Sequence, residues 1–278
     1  MTDNIGGKSI IITGAGSGFG RLVAQASAAR GARLVCADIN QEAVEQTAAD
    51  IRDQGGQAIA IVADVTRIGP MRDLAARAIE AHGAIDVMIN NAGIMPLAFF
   101  ADHDAAFDAW DRCIDINFKG VLNGIVAVYD QMMAQGRGHV INLSSIYGTH
   151  PVIGAAVYGA TKSAVNFLSE SLRVEARGKI KVTVIKPTGV PVTGLSATVI
   201  NREAGIGSLG QNMADFTDMV AGVQAGTFPP ERLDAGNIDY ALLAPQHIAD
   251  AIMHAIDQPW GVSISDITVR AAGDYFVL

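Results

Sequence analysis

The sequence predicts an α/β protein built on one doubly wound, parallel, seven-stranded sheet with helices on both faces. Three observations carry this reading. Short apolar runs rich in Ile, Val and Ala alternate with longer stretches of helical period along the chain. Most of those runs are apolar throughout, the pattern of strands buried on both faces. The helical stretches stop at glycines able to take a left-handed helix end, as at Gly31, Gly55, Gly83 and Gly178. Right-handed crossovers would then distribute the helices over the two faces.

In order, residues 9–13 read as the first strand and 20–30 as the helix after it. Residues 33–37 and 42–54 form the next strand–helix pair, closed by Gly55-Gly56. The third strand is 58–63, and helix 71–82 follows with Met71, Leu74, Ala75, Ala78 and Ile79 on one face. Residues 87–90, 140–144, 181–185 and 264–269 supply the remaining strands. Residues 117–133 and 158–177 read as helices, the second with Thr161, Val165, Leu168 and Leu172 in one stripe. The exception is 189–244, with scattered Gly, Pro, Met and Phe and weak periodicity; residues 190–244 are expected to form a substrate lid. Residues 1–278 read as a single domain.

Half the residues are hydrophobic and 17% are charged, which supplies a large core and argues against disorder. The formal net charge of −8, with no Lys/Arg-rich block, argues against a grip on nucleic acid or an anionic membrane. Cys36 and Cys113 lie 77 residues apart in apolar surroundings, too few for a disulfide framework, so both are expected to be reduced. His82, His103, His139, His150, His247 and His254 show no metal-ligand spacing, and no catalytic metal is expected. The first residues lack the pattern of a signal peptide, and no apolar run is long enough to span a bilayer. A cytoplasmic protein is expected.

The first strand runs directly into Thr13-Gly14-Ala15-Gly16-Ser17-Gly18-Phe19-Gly20, and a helix follows. Glycines suit a backbone that must turn sharply and approach a pyrophosphate closely, while the helix N-terminus offers free N–H groups to it. The spacing is not the usual dinucleotide G-x-G-x-x-G, and a tight strand–helix connection would use the same residues. Asp38 closes the second strand, 18 residues past Gly20, where a carboxylate can accept both ribose hydroxyls of adenosine or simply cap the next helix. A carboxylate there repels a 2′-phosphate, and Ser17, Ile39 and Asn40 offer it no cation. NAD is therefore expected over NADP.

Tyr158 and Lys162 stand four apart on one helix, one turn from each other. An ordinary phenol is a poor base at neutral pH, and an ammonium beside it is expected to favour the phenolate. Ser145, thirteen residues before Tyr158 at the mouth of the fifth strand, is preferred over Ser144 to hydrogen-bond a substrate oxygen. Any one of these alone is commonplace.

Thr13-Gly14-x-x-x-Gly18-x-Gly20, Asn90-Asn91-Ala92-Gly93, Asn117, Ser145 and Tyr158-x-x-x-Lys162 together resemble, in order and spacing, the short-chain dehydrogenase/reductase (SDR) family from about Lys8 to Lys186. The resemblance implies a Rossmann-type fold, an NAD cofactor and hydride transfer between NAD(H) and a secondary alcohol or ketone. It implies that Tyr158 is the general acid/base, that Lys162 also reaches the nicotinamide ribose, and that Asn117 helps hold a water linking Lys162 to solvent. It assigns cofactor contacts to Gly14, Ser17, Gly18, Phe19, Gly20, Asp38, Asp64, Val65, Asn91, Ala92 and Gly93; the last five would serve equally as fold-stabilising turns. Where the family shows Pro-Gly and a later Thr gripping the nicotinamide amide, this chain has Pro187-Thr188-Gly189-Val190-Pro191-Val192-Thr193, with an inserted Thr188. Pro187, Gly189, Val190 and Thr193 are the candidates for that contact.

Ile94, Met95, Tyr147, His150, Pro151, Met213 and Phe216 lie near these motifs in chain order and suggest a largely apolar substrate. The apolar faces of helices 117–133 and 158–177 exceed what one sheet covers, and the resemblance implies a homotetramer or dimer through them. Two other readings stay open: an epimerase or dehydratase that retains its NAD, and a non-catalytic NAD-binding sensor. The latter has no use for Ser145, Tyr158 and Lys162 together.

Overall fold

The computed structural model describes residues 3–190 and 194–277. Its first half alternates strictly: β1 (Ser9–Thr13), α1 (Gly18–Ala29), β2 (Arg33–Asp38), α2 (Gln41–Asp53), β3 (Gln57–Val62), α3 (Ile68–His82) and β4 (Val87–Asn90). Helix α4 (His103–Cys113) passes through a π-helical turn, Ile114–Lys119, into α5 (Gly120–Gln135). Then come β5 (Gly138–Leu143), α6 (Ala156–Glu175) and β6 (Ile180–Pro187). Two helices, α7 (Ile206–Leu209) and α8 (Met213–Ala225), lie in the segment expected to be a lid, before α9 (Pro245–Ile256) and β7 (Asp266–Val269).

Among the described residues the sheet has seven strands in the order β3-β2-β1-β4-β5-β6-β7, every neighbouring pair parallel. The doubly wound α/β expectation holds. The order reverses between β1 and β4, so the crevice at their carboxyl ends is the place where such a sheet takes a ligand. Strand boundaries fall within a few residues of expectation. The largest shifts, of two residues, are at β5, which begins early at Gly138, at β6, which continues to Pro187, and at β7, which begins late at Asp266.

Two apolar layers sandwich the sheet. Val23 and Ala24 of α1, Val44 and Ile51 of α2, and Ile248 and Ile252 of α9 pack on one face with Ile10 and Ile12. Leu74 of α3, Val121 and Val128 of α5, and Val165 and Leu172 of α6 pack on the other with Ile11 and Met88. The alternation of Ile10, Ile11 and Ile12 between layers is the period of two that a strand imposes. Cys36 and Cys113 are buried and unpaired, and burial pushes the Cys36 thiol up to about 12. Among the described residues no helix is long and apolar enough to cross a membrane.

Candidate active site

The turn after β1 is shaped by what it cannot hold. Gly14 and Gly18 have φ of +66° and +52°, in the left-handed region. A Cβ on Gly20 would lie 2.2 Å from the Gly14 carbonyl oxygen. Asn91, just past β4, locks the turn by donating from Nδ2 to the Thr13 oxygen at 2.9 Å and the Gly14 oxygen at 3.2 Å. Thr13 Oγ1 in turn accepts from the Asn91 and Ala92 N–H groups at 3.1 and 3.3 Å. The Asn90–Gly93 stretch therefore acts as a structural brace for the glycine turn. Helix α1 opens at Gly18, aiming its first backbone N–H groups into that turn. Ser17 is exposed, and Phe19 packs partly into the core.

Asp38 is half-buried; it accepts the Gly16 N–H at 2.9 Å and the Asn40 N–H at 3.0 Å. The helix cap of α2 is Asn40, whose side chain accepts from Ala43 N–H, so Asp38 is not spent as the cap. Sequence reasoning missed Arg21. Its guanidinium holds the Gly16 carbonyl and, at 3.0 Å, the Thr47 hydroxyl. Asp64 turns onto the Thr66 N–H and hydroxyl, and the Val65 carbonyl accepts from Asn123 of α5 at 2.8 Å.

Ser145, Tyr158 and Lys162 come together at the carboxyl end of β5. Ser145 leaves the strand in extended conformation, and its Oγ accepts the Tyr147 N–H at 3.3 Å. Ser144 points the other way and donates to the Lys162 carbonyl at 3.1 Å, which is why Ser145 is the serine that faces the site. Helix α6 can seat on the Ile146–Gly148 turn because two side chains are missing. A Cβ on Gly148 would lie 2.8 Å from the Lys162 backbone, and one on Gly159 would lie 2.9 Å from the Tyr147 oxygen. Tyr158 and Lys162 are both buried, and Lys162 Nζ sits 5.7 Å from the centre of the Tyr158 ring.

Electrostatics here differ from the sequence expectation. Burial raises the Tyr158 phenol well above its ordinary value, opposed by its hydrogen bond with Ser145. Burial lowers the Lys162 ammonium to about 8. Lys162 Nζ donates to the Leu143 carbonyl, 2.8 Å away.

Asn117 sits fully buried in the π-helical turn, where its Oδ1 accepts from the Ile94 N–H and its Nδ2 donates to the Ile94 carbonyl, each at 2.9 Å. Gly93 lets these groups close up: a Cβ there would be 3.1 Å from Asn117 Oδ1 and 3.7 Å from Lys162 Nζ.

At the end of β6, Pro187 is buried, while Gly189 and Val190 are half-buried. The inserted Thr188 donates its N–H to Val269 at 3.1 Å, which continues the β6–β7 pairing. The Phe276 ring lies directly on Gly189, filling the space a Cβ would need. Thr193 lies outside the described residues. Of the expected pocket residues, Tyr147 stands edge-on to Tyr158, and Ile94, Met95, Met213 and Phe216 are half-buried; His150 and Pro151 are exposed. Ser208 and Phe276, far away in the chain, were not legible as part of this region.

A family model described as short chain dehydrogenase matches residues 8–204. An uncharacterised oxidoreductase of Listeria monocytogenes is 36% identical over 265 residues, covering 94% of this chain and 95% of the relative. One from Staphylococcus epidermidis is 30% identical over 263 residues, covering 95% and 96%. A short-chain dehydrogenase/reductase from Burkholderia phymatum in complex with NAD superposes with TM-score 0.75 at 26% identity, over 96% of this chain and 90% of that one. An alcohol dehydrogenase from the archaeon Thermococcus sibiricus, complexed with 5-hydroxy-NADP, shares the fold with TM-score 0.76 at 20% identity, over 96% and 97%.

Proposed function

The chain is a member of the short-chain dehydrogenase family of oxidoreductases, and from that premise we propose that it passes a hydride between NAD(H) and a secondary alcohol or its ketone. The observation that carries this reading is the convergence of Tyr158, Ser145 and Lys162 on the crevice that the β1 glycine turn borders. Gly14, Gly18 and Gly20 leave backbone where side chains would stand, and the α1 N-terminus offers N–H groups to a pyrophosphate. Both similar structures named above carry a nicotinamide dinucleotide or an analogue of one.

Asp38 favours NAD, because its carboxylate can accept ribose hydroxyls and repels a 2′-phosphate. The nearby Arg21 does not offset it, being engaged with Gly16 and Thr47. Asp64, Val65 and Asn91 to Gly93 would border the adenosine half, and Pro187, Gly189, Val190 and Thr193 the nicotinamide half.

When bound, the nicotinamide donates or accepts the hydride; the remaining work belongs to the chain. The Ser145 hydroxyl hydrogen-bonds the substrate oxygen, and the Tyr158 hydroxyl gives that oxygen a proton or takes one from the alcohol. Lys162 steadies the phenolate so formed with the donors it does not spend on Leu143. Asn117 holds the Ile94 backbone beside Lys162, and so keeps a path by which the proton is exchanged with water. The apolar side chains of Ile94, Met95, Met213 and Phe216 suit a largely apolar substrate beneath a lid of residues 190–244. Exposed Leu122 and Val126 on α5, with Phe167 and Val174 on α6, suit assembly of a homo-oligomer.

The test is a panel of secondary alcohols offered with NAD or NADP at equal concentration, followed by the near-ultraviolet absorbance of the reduced dinucleotide. NADH should form at least about tenfold faster than NADPH. Faster NADPH formation would overturn the cofactor assignment. Tight NAD binding without net NADH from any alcohol would favour an enzyme that returns its hydride within one cycle.

A further inference from the structure

Tyr147 stands two residues past Ser145 and is buried against Tyr158, ring centres 5.6 Å apart at 71°. Its backbone N–H is the group that Ser145 Oγ accepts. One residue thus touches two members of the candidate site, the serine through its main chain and the tyrosine through its ring. Its hydroxyl lies 2.6 Å from Ser208 Oγ, and Ser208 is itself buried. The direction of that bond follows from proton counting. The single Ser208 hydroxyl proton goes to the Gly205 carbonyl at 3.0 Å, so Tyr147 donates and Ser208 accepts. The Tyr147 proton is committed, and this second phenol does not compete with Tyr158 for the substrate oxygen.

Ser208 is held from two sides. The α7 turn seats on the loop after β5, since a Cβ on Gly207 would lie 2.0 Å from the Ile153 carbonyl. From the other side, the Ser208 carbonyl accepts the Val277 N–H at 2.9 Å. The 274–277 segment is strapped down in turn. Phe276 rests on Gly189 and stands edge-on to Phe216 at 6.0 Å, while Arg270 holds the Asp274 carboxylate and the Phe276 carbonyl.

We propose that Tyr147 is a positioning residue for Tyr158 and Ser145, anchored by Ser208, which the 274–277 segment pins to the end of β6. The proposal rests on the reading of Tyr158 as the acid/base group. A displaced Tyr147 frees the phenol ring of Tyr158 to tilt and releases the Ser145 hydroxyl, so its effect falls on chemistry and not on dinucleotide binding.

The test compares Tyr147→Phe, Ser208→Ala, Ser208→Thr, Phe276→Ala and the double variant of Ser208→Ala with Phe276→Ala. Each alanine variant and Tyr147→Phe should lower kcat about tenfold while NADH binding, read by its fluorescence, stays within about twofold. Ser208→Thr, which keeps the acceptor, should recover most of the loss. The double variant should be no slower than about the worse single one, because both act through one link. Additive losses of about a hundredfold, or a change in KM with kcat intact, would overturn the proposal. Hydrogen exchange of the free protein supplies an arm independent of turnover. Phe276→Ala should speed exchange in residues 206–209 and 146–148 while the β1–β4 strands stay protected. Faster exchange at 206–209 with 146–148 unchanged would overturn it as well. If the unaltered protein turns over no alcohol, the hydride-transfer reading falls, and the exchange arm alone decides the Tyr147–Ser208 link.

Discussion

Lys162 is held where a charge is expensive, and that cost shows in stability. Burial sets its folded value at about 8 against 10.5 for the free side chain. Between those values the folded chain binds fewer protons than the unfolded chain, so its contribution to stability rises with pH in that window; below about pH 8 the full penalty is present. Tyr158 works in the opposite sense, since its raised phenol stays protonated after the unfolded chain begins to lose that proton near pH 10. The net gain is therefore expected between about pH 8 and 10. Lys162→Met should raise the thermal midpoint at pH 7 by a few degrees, about 1–2 kcal/mol after allowing for the Leu143 carbonyl left without its donor. It should also flatten the rise between pH 8 and 10. A lower midpoint in differential scanning calorimetry would contradict this assignment of cost. At this scale the sequence was readable where neighbours in the chain are neighbours in space: Tyr158 with Lys162, and the spacing that favoured Ser145 over Ser144. Arg21, Ser208 and Phe276 were not readable, because each acts on a residue that only the fold brings near. The phenol of Tyr158 is raised where the sequence expectation had it lowered, because its burial is set by the fold and not by its neighbours in the chain.

The elements were legible in proportion to how much of their own burial they encode. β1, β2, β4 and β5 are covered on both faces, so their apolar runs announce them, and β1 and β4 fall on the expected boundaries. The π-helical turn at Ile114–Lys119 was read as the opening of an ordinary helix, since one extra residue in a turn leaves little mark on a periodic pattern. Helix α8 shows weak period because part of its apolar surface meets Tyr275 and Phe276, contacts set by distant sequence. Glycine positions inside helices separate the two reasons a helix tolerates them. On α5, a Cβ at Gly124 would lie 1.9 Å from Asn90 Oδ1, so Gly124→Ala should cost about 2–3 kcal/mol through overpacking. On α3, Gly69 meets nothing within 4 Å but stands in the first turn directly before Pro70, so Gly69→Ala should change stability by less than about 1 kcal/mol. Chemical denaturation of the two variants checks the pair; equal effects would show that the α5–β4 approach is looser than described.

For the whole molecule, the alternating pattern was sufficient to give the doubly wound sheet, because a parallel sheet with right-handed crossovers has few ways to bury such strands. It was not sufficient for residues 194–244, where α8 and short helical turns are joined by irregular stretches. The exposed apolar side chains on α5 and α6 belong to this scale too. Phe167 and Val174 are 77% and 75% exposed; on the homo-oligomer proposed above, replacing both by Asp should reduce the mass measured by light scattering to that of one chain. An unchanged mass would place the assembly surface elsewhere. Fold and site join at the crevice where β1 and β4 diverge, with the glycine turn on one wall and the Ser145–Tyr158–Lys162 group beside β5. The most direct measurement of that account is the turnover of Tyr158→Phe on whichever alcohol the unaltered protein oxidises fastest, run beside NADH binding. A fall in kcat of about a thousandfold with NADH affinity preserved is the predicted result. A variant that kept its turnover would contradict it.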